Sequence, residues 1–156
     1  MTFENAVGTD INQLTELRIS YLKEDMGKLS EEDINKLQES LPNYFERNLN
    51  RNLFAYVARS EEEIVACAFL LITEKPMSPS FITGLTGTVL NVYTKAEHRR
   101  KGYARKLIEM LIADAQRRNL SVIELKATED GYNLYKSVGF NDAVSKYHSM
   151  RLHLKR

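Results

Sequence analysis

The chain has 156 residues, one domain's worth, enough to bury a core without disulfides or a structural metal. Hydrophobic residues make up 43% and charged residues 28%, the composition of a globular chain and not of a disordered one. Twenty-two Lys and Arg against 21 Asp and Glu leave a net charge of +1, which argues against bulk electrostatic capture of nucleic acid or of an acidic membrane. The one cysteine, Cys67, excludes an internal disulfide and any multi-cysteine metal site. His98, His148 and His153 have no ligand spacing, so no metal is expected. Residues 1–5 carry neither a basic nor an apolar targeting pattern, and the longest apolar run, residues 64–72, is about half of a membrane span. These features predict a single domain over residues 1–156, soluble and cytoplasmic, without membrane partners.

Asp10 followed by Gln13 predicts a capped helix start, with Ile11, Leu14, Leu17, Arg18, Tyr21 and Leu22 at helical spacing and Gly27 at its end. Ser30, then Glu31, Glu32 and Asp33, predicts a second helix with an acidic first turn. Its stripe is Ile34, Leu37, Leu41, Tyr44 and Phe45, and Pro42 inside it predicts a kink or two short helices. Residues 53–59 and 64–73 read as a strand hairpin around the polar turn 61–63, and residues 75–80, with Pro76 and Pro79, as a loop. Residues 84–94 form a third strand. After a basic turn comes the clearest helix, with Ala104, Leu107, Ile108, Leu111, Ile112 and Ala115 on one stripe and Asn119 as its end. Residues 121–126 read as a strand, 132–137 as a short helix stopped by Gly139 and Phe140, and 144–154 as a last strand. The order predicts an α/β (α+β) fold: a mixed sheet with helices on both faces, containing a right-handed strand–helix–strand crossover.

Chemistry concentrates where that crossover helix begins. Arg99-Arg100-Lys101-Gly102-Tyr103-Ala104 joins a strand to a helix N-terminus. The first N–H groups of a helix lack internal partners, and the dipole adds partial positive charge, so the position suits a phosphate or pyrophosphate. Gly102 and Ala104 allow close approach to the backbone; Arg99, Arg100, Lys101 and Arg105 add charge. The string is neither a P-loop nor a dinucleotide fingerprint, since the required further glycines are missing.

The Arg-x-x-Gly-x-Ala string, placed after Asn91-Val92-Tyr93-Thr94 and before Lys106-Leu107-Ile108, resembles the acetyl-CoA signature of the GNAT superfamily of N-acetyltransferases. Leu134-Tyr135-Lys136-Ser137-Val138-Gly139-Phe140 is similar to that family's later Leu-Tyr-x-x-x-Gly-Phe segment. The resemblance implies the GNAT fold, with a mostly antiparallel sheet whose central strands, residues 88–94 and 121–126, splay apart. It further implies that acetyl-CoA lies in that opening, its arm paired with backbone groups of Val92 and Thr94 beside Tyr93. The pyrophosphate would sit on N–H groups from Arg100 to Arg105, through Lys101, Gly102, Tyr103 and Ala104, with Arg99 orienting the loop. Two positions depart from the family: Thr128 stands where many members have Asn against the cofactor arm, and Gly131 stands where they have Ala. Thr128 can still hydrogen-bond, and Asn133 is a nearby polar substitute.

The implied activity is transfer of acetyl from acetyl-CoA to a primary amine of a small molecule or peptide, by direct attack in a ternary complex. An amine of pKa about 10.4 is protonated by some three units at neutral pH, a penalty of about 4 kcal/mol. By resemblance Tyr135 is the general acid for the departing thiolate, a role worth roughly 10²–10⁴-fold. A strand N–H near Val92 would receive the developing oxyanion. Thr88 occupies a position where some members carry a Glu base and cannot serve; Glu129 and Asp130 are the alternatives, beside deprotonation through water. The two N-terminal helices and residues 75–84 are expected to build the acceptor pocket, with Arg18, Tyr21 and Tyr44 facing it and Glu24 and Asp25 hinting at a cationic acceptor. Two other functions compete: a non-catalytic acyl-CoA-binding sensor or interaction module, and a nucleic-acid binder using Arg99, Arg100, Lys101, Arg105, Arg117 and Arg118. Glu109 and Asp114 on the same helix weaken the latter, and no nucleic-acid partner is expected. The predicted last strand could pair across a homodimer.

Overall fold

Alternation in residues 53–58 sends Leu53, Ala55 and Val57 to one face of a strand and Phe54, Tyr56 and Ala58 to the other. All of them are buried, so both faces of this strand must be covered. The computed structural model describes residues 1–156 and meets that demand with a five-stranded mixed sheet. The strands are β1 (Thr2–Asn5), β2 (Leu53–Ser60), β3 (Glu63–Glu74), β4 (Leu85–Thr94) and β5 (Val122–Glu124). The helices are α1 (Ile11–Met26), α2 (Glu31–Asn48), α3 (Tyr103–Arg117) and α4 (Glu129–Ser137). The sheet order is β1-β2-β3-β4-β5, antiparallel except for the parallel pair β4–β5 that α3 connects. Residues 1–126 form one compact unit and residues 127–156 a second. No helix is long and apolar enough to cross a membrane.

In the first unit α1 and α2 cover one face. Ile11, Leu14 and Leu17 of α1 and Phe45 of α2 close on Leu53, Ala55, Val57, Cys67 and Phe69. The opposite face receives α3, whose Leu107, Ile108 and Leu111 are fully buried. One polar cluster is embedded in that second layer. Tyr56 on β2 donates to the buried carboxylate of Asp114, which also accepts from Arg118 Nε at 3.0 Å and pairs with Arg117. The Arg118 guanidinium in turn lies 3.8 Å from the ring centre of Phe54. Gly87 sits where β4 meets β5; a Cβ there would fall 2.7 Å from Leu70 and 2.8 Å from Leu120, so only glycine lets these side chains close over the strand.

Helix ends follow local chemistry. Ser30 Oγ accepts from Asp33 N at 3.0 Å, and Gly27, with φ 84°, ends α1. The end of α3 is a Schellman motif: Asn119 takes φ 65°, its N–H donates to Gln116 O, and Leu120 N–H donates to Ala115 O. α2 runs unbroken through Pro42. The expected cap at Asp10 is replaced by one local bond and several long-range ones. Asp10 accepts from Val7 N at 2.9 Å and pairs with Arg59 at 3.0 Å, while Gln13 bonds the backbone of Glu62 and Ile64. β1, absent from the sequence-based expectation, pairs with β2 along Thr2–Asn5, and Glu4 there holds Arg59 at 2.8 Å.

In the second unit α4 starts three residues before the predicted helix, because Thr128 caps it through Gly131 N at 3.2 Å. No strand forms over residues 144–154: Val144, Tyr147, Met150, Leu152 and Leu154 are 75–98% exposed. An alternating pattern makes a strand only where another strand accepts its backbone bonds, a condition the segment itself does not carry.

Burial opposes ionisation of Asp114, but the bonds from Tyr56 and Arg118 and the two arginine charges outweigh it and hold the carboxyl below its ordinary range. Its contribution is therefore complete above the unfolded-state pKa of an aspartate and is lost as pH falls through the lowered folded-state value. Asp114→Asn is expected to destabilise the protein by about 2–3 kcal/mol at neutral pH and to lose part of the acid dependence of stability. Urea unfolding of both proteins between neutral and strongly acid pH measures this; parallel pH profiles would contradict it.

Candidate active site

β4 has two partners at its start and one at its end. Thr86, Gly87 and Thr88 pair with Val122, Ile123 and Glu124 of β5, and there β5 stops. On the other side β4 stays paired with β3 as far as Thr94. The segment from Val89 to Thr94 thus has an unpartnered edge toward the missing half of β5. Strand alternation decides what that edge presents. Lys95 N–H donates to Val65 O of β3 at 2.9 Å, so Tyr93, two residues earlier, also points its backbone at β3, and Val92 and Thr94 point theirs into the opening.

A bulge sets this register. Leu90 lies opposite Phe69 and Tyr93 opposite Cys67, leaving Asn91 and Val92 to share Ala68. Asn91 has φ 52°, a left-handed conformation that asparagine tolerates better than most side chains. It is buried and clamped on three sides. Its Oδ1 accepts from Arg18 at 3.3 Å, its Nδ2 reaches Cys67 Sγ at 3.5 Å, and the Cys67 thiol donates to its carbonyl at 3.4 Å. Complete burial pushes the Cys67 thiol up to about 12, so it stays protonated and serves as packing and a weak donor.

Past β4 the chain makes a 3-10 turn, Ala96–His98, and enters the basic loop. Arg100, with φ 64°, and Gly102, with φ 81°, both lie in the left-handed region, the kind of turn conformation from which anion-binding backbone concavities are built. The first amide to close a helical turn is Lys106 N, on Gly102 O at 3.1 Å; those of Tyr103 and Ala104 precede it at the helix end. A Cβ on Gly102 would meet nothing within 4 Å, so it is the left-handed φ and not crowding that favours glycine there. Arg100 and Lys101 are exposed, and Arg105 pairs with Glu109 at 3.1 Å.

Arg99 faces inward to its own loop. Its Nε donates to Thr94 O at 2.8 Å, its Nη2 bonds both oxygens of Glu24 at 2.8 and 2.9 Å, and its guanidinium lies 5.5 Å from the Tyr93 ring centre. This ties the end of β4 and the loop to α1. Glu24, expected to mark a cationic acceptor, is thereby committed to Arg99. Burial and the Glu24 charge hold the Tyr93 phenol above its ordinary range against the opposing charge of Arg99. Tyr103 packs its ring edge-on to Phe3 of β1.

On the other side of the bulge, the first unit contains a cavity of about 230 Å³ lined by Arg18, Leu41, Tyr44, Leu53, Phe69 and Leu90. It draws on α1, α2, β2, β3 and β4; residues 75–84, expected at the acceptor pocket, take no part in lining it, because they join the far ends of β3 and β4. Burial holds the Tyr44 phenol above its ordinary range, against the lowering effect of the Arg18 charge, so it remains a donor at neutral pH.

In the second unit, Thr128, Asn133 and Tyr135 lie together on α4. Thr128 is its N-cap, and Glu129 and Asp130 are its acidic first turn, where the helix dipole favours them. The Gly139-Phe140 pair is a Schellman cap. Gly139 takes φ 114°, its N–H donates to Lys136 O, and Phe140 N–H donates to Tyr135 O at 3.0 Å, which brings the Phe140 ring edge-on to Tyr135 at 5.9 Å. The Tyr135 ring also lies over Gly131, where a Cβ would stand 2.9 Å from Cε2. Glycine in place of the family's alanine therefore leaves room for this ring position. The bulge at Asn91 and the Arg99–Glu24 clamp were missed by sequence reasoning; neither has a local signal, since each joins residues more than twenty positions apart.

The chain belongs to the acetyltransferase (GNAT) family, whose profile matches residues 15–140. No curated protein matches it significantly. Among solved structures, a predicted acetyltransferase with acetyl-CoA from Clostridium acetobutylicum is 29% identical, with a TM-score of 0.83 over 99% of each chain. A GCN5-related N-acetyltransferase from Ralstonia eutropha is 20% identical, with a TM-score of 0.79 over 96% of this chain and 97% of that one. A ribosomal-protein-alanine N-acetyltransferase from Brucella melitensis is 23% identical, with a TM-score of 0.67 over 99% and 100%. The latter two share the fold.

A thiol reagent such as Ellman's is expected to find no reactive group in the native protein and one per chain after denaturation. Rapid labelling of the native state would mean that Cys67 is not the buried clamp described above.

Proposed function

We propose that the protein transfers an acetyl group from acetyl-CoA to a primary amine of a small molecule or peptide, by direct attack in a ternary complex. The observation that carries this reading is the pair of backbone features in the first unit: the unpartnered edge of β4 and the helix N-terminus of α3, entered through two left-handed residues. An extended arm with amides needs the first, a pyrophosphate needs the second, and one ligand of pantetheine type joins the two chemistries. In this reading Val92 and Thr94 hold the arm through their backbone, beside Tyr93. The amides of residues 100–105 hold the pyrophosphate with the Arg100 and Lys101 charges nearby, and Arg99 positions the loop without touching phosphate. Acetyl-CoA supplies an acetyl group activated as a thioester.

The remaining work falls to side chains and to the substrate's own proton. The Val92 N–H is a preorganised donor that needs no reorientation to stabilise negative charge on the thioester oxygen. Tyr135 is assigned proton donation to the leaving thiolate. The amine must arrive neutral, and with Glu129 and Asp130 occupied as helix-start acids, water-mediated deprotonation is the reading we favour. Thr128 and Asn133 are assigned secondary contacts to the cofactor arm.

Calorimetric titration with acetyl-CoA, desulfo-CoA and ATP tests the donor site; micromolar binding of both CoA compounds and none of ATP is the expected pattern. Gly102→Glu introduces an anion at the start of α3 and strains a left-handed position, and is expected to abolish acetyl-CoA binding; unchanged affinity would remove the site from this loop. Tyr135→Phe is expected to lower kcat by about 10²-fold while leaving acetyl-CoA affinity within about twofold. Unaltered turnover in that variant would reduce Tyr135 to packing.

A further inference from the structure

The cavity beside the bulge carries a chemical preference of its own. Leu41, Leu53, Phe69 and Leu90 make its wall apolar, and the polar groups among its lining side chains are the Arg18 guanidinium and the Tyr44 hydroxyl. Arg59, Arg99, Arg117 and Arg118 each hold a carboxylate within 4 Å. Arg18, half-buried on α1, holds none: its contacts are the Asn91 side-chain amide at 3.3 Å and the Tyr21 ring at 5.9 Å. A guanidinium offers five N–H donors in a planar fork that matches a carboxylate. Here one bond goes to a neutral amide, and the charge is partly withdrawn from water with no anion to answer it.

We infer that the acceptor is an amine that also bears a carboxylate and a compact apolar side chain, the carboxylate held by Arg18 and Tyr44 and the side chain by Leu41, Leu53, Phe69 and Leu90. This rests on the acetyltransfer reading and narrows its acceptor. Three physical arguments support it. A volume of about 230 Å³ is enough to admit a compact apolar side chain. The Arg18 charge repels diamines and polyamines, whose second ammonium has no acidic group in the lining to receive it. Pairing with Arg18 also cancels the stabilisation that the acceptor's own carboxylate gives its ammonium, so the carboxylate does not add to the proton penalty of about three units that attack must overcome. Arg18 is also bonded to Asn91, so the anchor for the carboxylate and the bulge that turns Val92 outward are held in one register.

The test separates binding from turnover. Wild type, Arg18→Gln, Arg18→Lys and Tyr44→Phe are each checked for a cooperative unfolding transition, then titrated by calorimetry with N-acetyl-L-leucine and N-acetyl-L-leucinamide, which differ by one carboxylate. The acid is expected to bind wild type at least about tenfold tighter than the amide, the preference to vanish in Arg18→Gln, and part of it to return in Arg18→Lys. Tyr44→Phe is expected to weaken the acid alone, by about three- to tenfold. In turnover with acetyl-CoA, followed by thiol release, L-leucine should exceed both L-leucinamide and putrescine. Equal binding of acid and amide, binding of neither at about 10 mM, or putrescine as the best acceptor overturns the inference. Acetyl-CoA is titrated in the same preparations. If it does not bind, the acetyltransfer reading falls; if it binds and no carboxylate preference appears, only the acceptor inference falls.

Discussion

Everything at the candidate site depends on β4 losing one of its two neighbours halfway along its length. A strand in the middle of a sheet spends its backbone groups on both sides; β4 does so only through Thr88, opposite Glu124. Beyond that point its backbone groups on one side have no strand to answer them; Arg99 Nε takes the Thr94 carbonyl, and an open strand edge of this kind is a template for an extended ligand. The bulge adds a second effect, because one extra residue opposite Ala68 re-aims the strand where it becomes single-sided. The clamp on Asn91 favours the distortion: an arginine from α1 and a buried thiol from β3 hold a side chain whose backbone is in an uncommon conformation. The opening is therefore built from core packing, which is more rigid than a loop.

Charge is arranged around that opening by direction more than by amount. The net charge is +1, yet the basic side chains of the loop fall into two different surroundings. Arg99 is neutralised by Glu24 and acts as a strap; Arg100 and Lys101 are left in solvent. Surface pairs of the Arg99–Glu24 kind contribute little to global stability. Their effect is local, fixing where the turn sits relative to α1. Arg18, on the same helix as Glu24, differs from these because the apolar cavity wall keeps it partly from water.

The two motifs that pointed to the GNAT family were legible because each is a short-range device. Arg99 to Ala104 contains its own left-handed turns, and Leu134 to Phe140 contains its own helix cap, with Gly139 and Phe140 completing bonds to residues of the preceding turn. The α1, α2 and α3 stripes were equally local. What escaped were the pairings between distant positions. β1 has no pattern of its own and exists because β2 offers an edge. Asp10 and Gln13 match a capping sequence, yet Arg59 and the backbone of the β2–β3 turn compete for them and win. Residues 144–154 show the converse, an alternating sequence that forms no strand.

The sequence by itself determined the four helices, the helix ends at Gly27, Ser30, Asn119 and Gly139, the hairpin, the basic turn into α3 and the family, because each is encoded within a window of a few residues whose propensities agree. Tertiary structure alone decided where β5 ends, that Asn91 bulges, that Glu24 belongs to Arg99, and that Arg18 faces an apolar cavity without a carboxylate. The physical reason is the same in each case. Hydrogen-bond partners and burial are properties of pairs, and when the two members lie tens of residues apart, neither one's local sequence records the other.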